Sequence, residues 1–397
     1  MKKLFAMLLA LTLLLSVVAC SDSSPKGTQP GTNGGSEPSP ETAIKIGLNN
    51  AFTGGSAAGA ELEGRGVELA HKYRNTVLGR EVKLIKADNK TDKVEAATVT
   101  TKLVDSDGVC AVIGSYGSAL TMASAEVLMD RKVVGMASSA TNPNVTLGNP
   151  WQFRVCFIDT YQGEIMAKYA YESGYSKVGV LRELTNDFCV GLASYFTDVF
   201  TTLTGDEKSI NVVDFQTGDQ DFTSQITTLM KDNPDAIFIP FPTNIGDIPV
   251  FAKQLHQLGY DVPLLSSDGT EVQDLIDVGG ADVENLYFTT FFDTEMQATD
   301  ATRLFLERYA ETYGKDAVPS AFEVLAYDSY NILLDAIEAG NSAEPHSIQS
   351  SLKAMQNWEG AGGNITFDEN NNPNKPAVIK VIRDGKFQYV STVSPAD

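Results

Sequence analysis

Short runs of apolar, β-branched residues alternate along this chain with longer stretches whose apolar positions recur every three or four residues, the spacing of helix faces. From residue 44 the pattern predicts strand 44–49, helix 64–75, strand 81–88, helix 94–106, strand 109–113, helix 119–130 and strand 133–137. The rhythm then restarts with helix 162–173, strand 177–181, helix 191–203, strand 210–215, helix 222–232, strand 236–240, helix 248–258 and strand 263–266. Repeated β-α-β units require parallel strands with helices on both faces. Two such series, divided near Asp159, predict an α/β fold of two Rossmann-like lobes, each with a parallel sheet.

After a strand at 286–291 the alternation fails. Helices 299–313, 320–339 and 347–355 follow one another, then a hairpin-like pair 363–367 and 377–383, with a last strand at 387–390. Successive helices cannot all cover the second sheet, so they are expected to return to the first lobe. The chain then passes between lobes more than once, which makes a multi-crossover hinge beside a cleft. Lobe 1 is expected over 43–158 plus 292–363, and lobe 2 over 159–291 plus 364–397.

The first residues obey neither period. Lys2 and Lys3 precede an apolar stretch at 4–15 and then small residues, the order of a secretory signal. The stretch is shorter than the ~20 apolar residues a membrane span needs. Leu15-Ser16-Val17-Val18-Ala19-Cys20 resembles the bacterial lipobox, which implies a signal peptide over 1–19 and a lipidated Cys20 as the mature N-terminus. Residues 21–42 place Pro25, Pro30, Pro38 and Pro40 among Gly and Ser, and are expected to act as a flexible spacer. Acyl chains on Cys20 would hold the folded body at the outer face of the cytoplasmic membrane, on the periplasmic side if two membranes are present. Such a tether suits a cell without an outer wall to retain the protein.

Charge narrows the partners. With 30 basic and 51 acidic residues the net charge is −21, which repels nucleic acid. Cys110, Cys156 and Cys189 sit in apolar surroundings; one disulfide is open to them, but packing as small hydrophobes is the expectation. His71, His256 and His346 are too dispersed for a metal cluster. Enzyme motifs are wanting: Arg65-Gly66 stands where a phosphate loop needs Lys-Ser/Thr, and no nucleophile elbow or His-Glu-x-x-His is present. Asp368 opens a run like a calcium loop, but Pro373 replaces the required glycine and Ile379 holds the twelfth place, so a polar turn is expected. Neither catalytic residues, metal nor cofactor are expected.

A series of short motifs carries a resemblance. They are Ile44-Lys45-Ile46-Gly47 with Phe52-Thr53-Gly54, Val112-Ile113-Gly114 with Ser118, and Ser138-Ser139-Ala140-Thr141-Asn142-Pro143. Phe153-Arg154 with Asp159, Gln162-Gly163-Glu164, Asp221-Phe222, Pro234-Asp235-Ala236-Ile237, Ser267-Asp268-Gly269 and Ile365-Thr366-Phe367-Asp368 continue it. In order and spacing, from about residue 44 to 390, the chain resembles the branched-chain (Leu/Ile/Val) amino-acid binding proteins, type I periplasmic binding proteins of ABC importers.

Open parallel sheets bind ligands beyond the carboxyl ends of their strands, where helix N-termini offer free N–H groups. Ser118 follows strand 109–113 and Thr141 follows strand 133–137, so two hydroxyls with adjacent amides can cradle a carboxylate. A helix N-cap for Ser118 and a turn for Thr141 are the plain structural alternatives. The resemblance implies that Ser118 and Thr141 hold a ligand α-carboxylate, with Ser139 and Ala140 in the same segment. It implies Asp268 as the acid that meets the ammonium from the other lobe. Asp159 matches a position near the hinge, either supporting the ammonium or making a hinge hydrogen bond.

The side-chain pocket departs from the family pattern. Gly59 and Phe188 replace tyrosines, Cys189 stands where glycine is usual, and the loop 241–246 is longer and lacks tyrosine. Gly59 is expected to open space, and Phe188 to line the pocket; Phe52, Tyr116 and Tyr161 rank below it. The resemblance implies a monomeric receptor that captures an amino acid between its lobes and presents it to ABC permease subunits, without doing chemistry. A sensor of the same fold, signalling to a membrane kinase or chemoreceptor, is the alternative.

Overall fold

The structure is a computed structural model that describes residues 43–296 and 299–395. Cys20, the leader and the spacer lie outside the described residues. The chain begins with β1 (Ile44–Asn50), α1 (Ala57–Tyr73), β2 (Thr76–Val77), β3 (Arg80–Asp88), α2 (Lys93–Lys102), β4 (Ala111–Ile113), α3 (Ser118–Arg131), β5 (Val134–Ala137) and β6 (Gln152–Arg154). There follow α4 (Asp159–Glu172), β7 (Val178–Glu183), α5 (Asp187–Thr204), β8 (Ile210–Phe215), α6 (Thr223–Leu229), β9 (Ala236–Phe238), α7 (Asp247–Gln257), β10 (Leu264–Ser266), α8 (Gln273–Gly279) and β11 (Leu286–Thr290). The last part holds α9 (Asp300–Tyr313), α10 (Ala321–Ala339), α11 (Pro345–Ala354), β12 (Trp358–Gly360), β13 (Gly363–Ile365), β14 (Ala377–Arg383) and β15 (Lys386–Val393).

The first sheet has the order β2-β3-β1-β4-β5-β6 and the second β15-β14-β11-β10-β9-β7-β8. Pairings from β3 through β6 are parallel, as are those from β8 through β11. Strands covered on both faces tend to be apolar throughout, as in β9, where Ala236, Ile237 and Phe238 are all buried; in β1 Ile44, Ile46 and Leu48 are buried on one face. In these two sheets the antiparallel strands sit at the margins, β2 on β3 and β14 with β15 beyond β11, while β12 and β13 form a separate antiparallel pair.

Helix α10 packs along α1 and touches β4 and β5, so the helical run does return to the first sheet. The approach of α1 to α10 is close because Gly66 lies at the crossing; a Cβ there would come within 2.2 Å of the Glu323 carbonyl oxygen. Buried ions tie this region to the second sheet. Lys380 of β14 pairs with Glu271 and Asp293 at 3.0 Å each, and Glu271 also accepts the Ala321 N–H at the start of α10.

Some expectations are corrected. Helix α1 starts at Ala57 rather than at 64. Strand β6 and helix α8 were not anticipated. The segments 363–367 and 377–383 do not form a hairpin: β13 pairs with β12, and β14 pairs with β11 and β15. Asp368 does organise a turn, accepting the Asn370 and Asn372 N–H groups, with a bridge between Phe367 and Pro373. Among the described residues Cys110, Cys156 and Cys189 are free thiols, Cys156 and Cys189 buried and Cys110 partly so.

Candidate ligand-binding cleft

The carboxyl ends of both sheets' parallel strands converge on one cavity of about 220 Å³. From the first sheet come Ser56 after β1, Thr91 and Lys93 after β3, Tyr116 to Leu120 after β4, and Ser139 and Thr141 after β5. From the second come Thr185, Asn186 and Phe188 after β7, Thr217 after β8, Phe241 to Thr243 after β9, and Asp268 and Gly269 after β10. Of the residues singled out in the sequence, Ser118, Ser139, Thr141, Phe188 and Asp268 line this cavity, while Ala140 and Asp159 lie behind its wall, 1 % and 0 % exposed.

The first-sheet wall is built from peptide groups and hydroxyls. Ser118 is the first residue of α3 and not its cap; the cap is Gly117, which has no side chain to satisfy the helix's opening N–H groups. An uncapped helix start facing a cavity suits an anion, through free donors and the helix dipole. The Ser118 hydroxyl accepts the Asn142 N–H at 3.2 Å, which joins the two segments of the wall. Behind them Arg154 is fully buried and donates to the carbonyls of Ala140 at 2.7 Å and Asn142 at 2.9 Å and to the Thr146 hydroxyl at 3.1 Å. Burial lowers its pKa. Ala140 therefore serves the wall through its carbonyl, turned inward onto Arg154.

The second-sheet wall presents a carboxylate and rings. Asp268 is 6 % exposed and accepts one hydrogen bond from the Gln162 amide at 2.7 Å, which also donates to the Thr289 hydroxyl at 2.8 Å. Burial raises the Asp268 pKa to about 7, the Gln162 bond opposing it and the charge of Glu271 adding to it. Glu183 organises the floor: it accepts from the Thr217 hydroxyl, the Asn186 amide at 3.2 Å and the Thr243 N–H at 2.7 Å. Asn186 in turn caps α5 through the Phe188 and Cys189 N–H groups, fixing the Phe188 ring at the cavity.

Between the walls stands Asp159, at the start of α4. Its N–H donates to the Thr141 carbonyl at 3.0 Å. Neither carboxyl oxygen accepts a hydrogen bond in good geometry, though the Thr141 hydroxyl lies beside it. Burial, opposed by that hydroxyl and reinforced by Asp268, raises its pKa to about 8. At the mouth, Lys93 of α2 pairs with Asp187 of α5 at 2.7 Å, and the Asn142 amide donates to the Asp187 carbonyl at 3.2 Å.

The aromatic candidates separate. Tyr116 lines the cavity and its ring fills the space beside Gly59; a Cβ at Gly59 would come within 2.3 Å of that ring. Gly59 thus does not open the pocket but makes room for Tyr116. Phe52 packs outside, against Gly64 and under Lys86, and the Tyr161 hydroxyl donates to the Val393 carbonyl away from the cleft. One residue escaped sequence reasoning. Glu63 of α1 is 1 % exposed, accepts the Ser139 hydroxyl at 2.5 Å and the Asn50 amide at 2.8 Å, and has its pKa raised to about 7 by burial. Its signal was an acid within the buried stripe Ala60, Glu63, Val67 and Ala70.

Two mostly parallel sheets with their strand ends facing across a small cavity define a two-lobed binder of small molecules, a type I fold of the kind that captures solutes. The profile of the periplasmic binding protein family matches residues 43–386, and the chain belongs to that family, as a substrate-binding protein of the branched-chain amino-acid ABC transporter type. It is 26 % identical over 360 residues to Leu/Ile/Val-binding protein homolog 2 of Brucella abortus, covering 87 % of this chain and 93 % of that one. A leucine-binding protein, LivK, from Thermotoga maritima superposes with a TM-score of 0.85 at 36 % identity, over 89 % of this chain and 99 % of its own. LivJ of Streptococcus pneumoniae, solved with isoleucine, gives 0.81 at 28 % identity, over 89 % and 100 %. The relatives are binding proteins, and the family works outside the cytoplasm. No described helix is long and apolar enough to cross a membrane.

Proposed function

We propose that the protein captures a free α-amino acid of the branched-chain kind in this cavity, closes on it, and delivers it to an ABC permease. The observation that carries the reading is the opposition of the two walls: an uncapped helix start with hydroxyls on one side, and the single acid Asp268 on the other. A zwitterion matches that polarity. Its α-carboxylate lies against Ser118, Ser139 and Thr141, its ammonium against Asp268, and its side chain against Phe188 and Phe241. Asp159 acts behind the wall as a support for the Thr141 segment, consistent with its N–H bond to the Thr141 carbonyl. The relatives named for leucine and isoleucine support the ligand class.

The lobes divide in this reading as 43–158 plus 292–363 and 159–291 plus 364–397, and the protein works as a monomer. Cys20 carries the lipid that ties it to the membrane, with residues 21–42 as the tether. Cleft and ligand are tested by thermal unfolding of the chain lacking residues 1–19 against each of the twenty amino acids. A ligand at ~100 times its Kd adds ~2.7 kcal/mol of stability, and no shift with any of them defeats the reading. Mass measurement of the membrane-extracted protein tests the lipid on Cys20.

A further inference from the structure

The geometry points to Glu63 as a proton-carrying positioning residue, which must hold a proton for Ser139 to donate its hydroxyl to the ligand's carboxylate. The inference rests on the amino-acid reading of the cleft and adds to it a proton coupled to binding. The donors around Glu63 decide where its proton goes. Asn50 cannot be turned over, because its Oδ1 already accepts the Ala51 N–H at 3.0 Å and the Tyr116 N–H at 2.7 Å. Its amide nitrogen therefore faces Glu63 Oε2, which must be an acceptor. Oε1, 2.5 Å from Ser139 Oγ, is then the oxygen placed to carry a hydrogen, and the Ser139 N–H, also directed at this carboxyl, partly offsets the effect of burial.

That contact has two forms. With Glu63 ionised, the one hydroxyl hydrogen of Ser139 is committed to Oε1, and only oxygen lone pairs of Ser139 are left for the cavity it lines. With Glu63 protonated, the Oε1 hydrogen bonds to Ser139 Oγ, and the hydroxyl hydrogen is released toward an incoming carboxylate. Balance is simple: one proton is taken from water as the cleft fills and returned as it empties. The ionised form is disfavoured twice when a carboxylate is bound, by charge repulsion and by the lost donor.

The surroundings fit this role. Facing Glu63 are Asn50 from β1, Ser139 after β5, the Tyr116 phenol after β4 and Asp268 from the opposite wall, whose charge raises the Glu63 pKa. On the α10 side Glu323 is held by Arg65, Tyr309 and the Ser320 N–H. Burial carries the Glu63 pKa to about 7, so either form is within reach near neutrality.

The test is calorimetric titration of the mature chain with L-leucine between pH 6 and pH 8.5, in buffers of different ionisation enthalpy, for wild type and Glu63→Gln. Glutamine keeps an oxygen for Asn50 and an N–H for Ser139, and so imitates the protonated acid. Ionisation of Asp268 strengthens ammonium binding in both proteins, so the readout is the ratio of their dissociation constants. Wild type is expected to weaken relative to Glu63→Gln by approaching tenfold per pH unit above about 7, and to take up a proton that the variant does not. A ratio constant with pH, or equal proton uptake, overturns the role of Glu63 while leaving the cleft intact. If Glu63→Gln does not fold, Ser139→Ala decides: it should weaken binding at pH 6 and not at pH 8.5, and an equal loss at both overturns the proposal. Failure of wild type to bind any amino acid at pH 6 overturns the cleft reading itself.

Discussion

On the first-sheet wall, Ser118, Ser139 and Thr141 stand on segments whose positions are set from behind, by Arg154 on the carbonyls and Glu63 on Ser139. On the second-sheet wall Asp268 and the Phe188 and Phe241 rings reach the cavity as side chains, supported by Gln162, Glu183 and Asn186. In the proposed reading, a wall of peptide groups and hydroxyls meets what all α-amino acids share. A wall of side chains can be altered one residue at a time. On that reading, selectivity can change without loss of the common frame at Phe188, Phe241 and Thr243, but not at Ser118 or Thr141.

The largest effect expected lies between the walls. Asp159 is fully buried and its pKa is raised from 3.8 to about 8. A carboxyl whose folded pKa is raised stabilises the fold below its unfolded pKa, and that contribution is lost as pH rises to the folded value. A shift of this size corresponds to on the order of 5 kcal/mol, so ligand-free protein should unfold at progressively lower urea concentration from pH 5 to pH 8. Asp159→Asn should remove one proton's share of that slope, Glu63 and Asp268 contributing their own up to about pH 7. An equal slope in both proteins would show that the seam between the walls holds no such acid.

Next in size is the second wall's acid. Asp268→Ala should weaken amino-acid binding by ~2–5 kcal/mol, as when one partner of a buried charge pair is removed. Calorimetry at fixed pH checks it, and unchanged affinity would take Asp268 out of the site. Its partner Gln162 offers a control, because Gln162→Ala leaves the charge in place and loosens only its position.

Legibility in the sequence followed the same division. Parallel strand β9 was plain from an unbroken apolar run and β1 from its alternating Ile44, Ile46 and Leu48, and the placement of Ser118, Thr141 and Asp268 at the cavity followed from their positions in the segments after such strands. Helix α1 was cut short because Ala57-Ala58-Gly59-Ala60 has no amphipathic contrast, its small residues being chosen for close approach to neighbours. That error hid Glu63, which lay just outside the expected helix. Strand β6 was missed because Gln152 and Arg154 are polar though buried, their polarity used inside the fold. The partner of β13 was misassigned because alternation says which face is buried, not which strand is adjacent. Thr185, Thr217 and Thr243 come from three separate loops, and only the tertiary structure places them on one floor.

A smaller loss separates the first wall's two kinds of donor. Ser118→Ala removes a neutral hydroxyl but leaves the α3 N–H groups, so affinity should fall by only ~0.5–1.5 kcal/mol. A loss as large as that of Asp268→Ala would mean that the side chain, rather than the helix start, holds the carboxylate.

The smallest effect belongs to the Lys93–Asp187 ion pair, which joins the walls at the mouth. Lys93 and Asp187 are each about half exposed, with side-chain exposures of 53 % and 50 %. Solvent screens such a pair to ~0–1 kcal/mol, so Lys93→Ala should change affinity little, and less still in high salt. Because the pair forms only when α2 and α5 are close, its loss should appear as faster ligand release with an unchanged association rate, measured by stopped-flow at low salt. A large drop in affinity would mean that Lys93, which lines the cavity, contacts the ligand itself. No change in either rate would assign closure to the Asn142 bond and the buried walls alone.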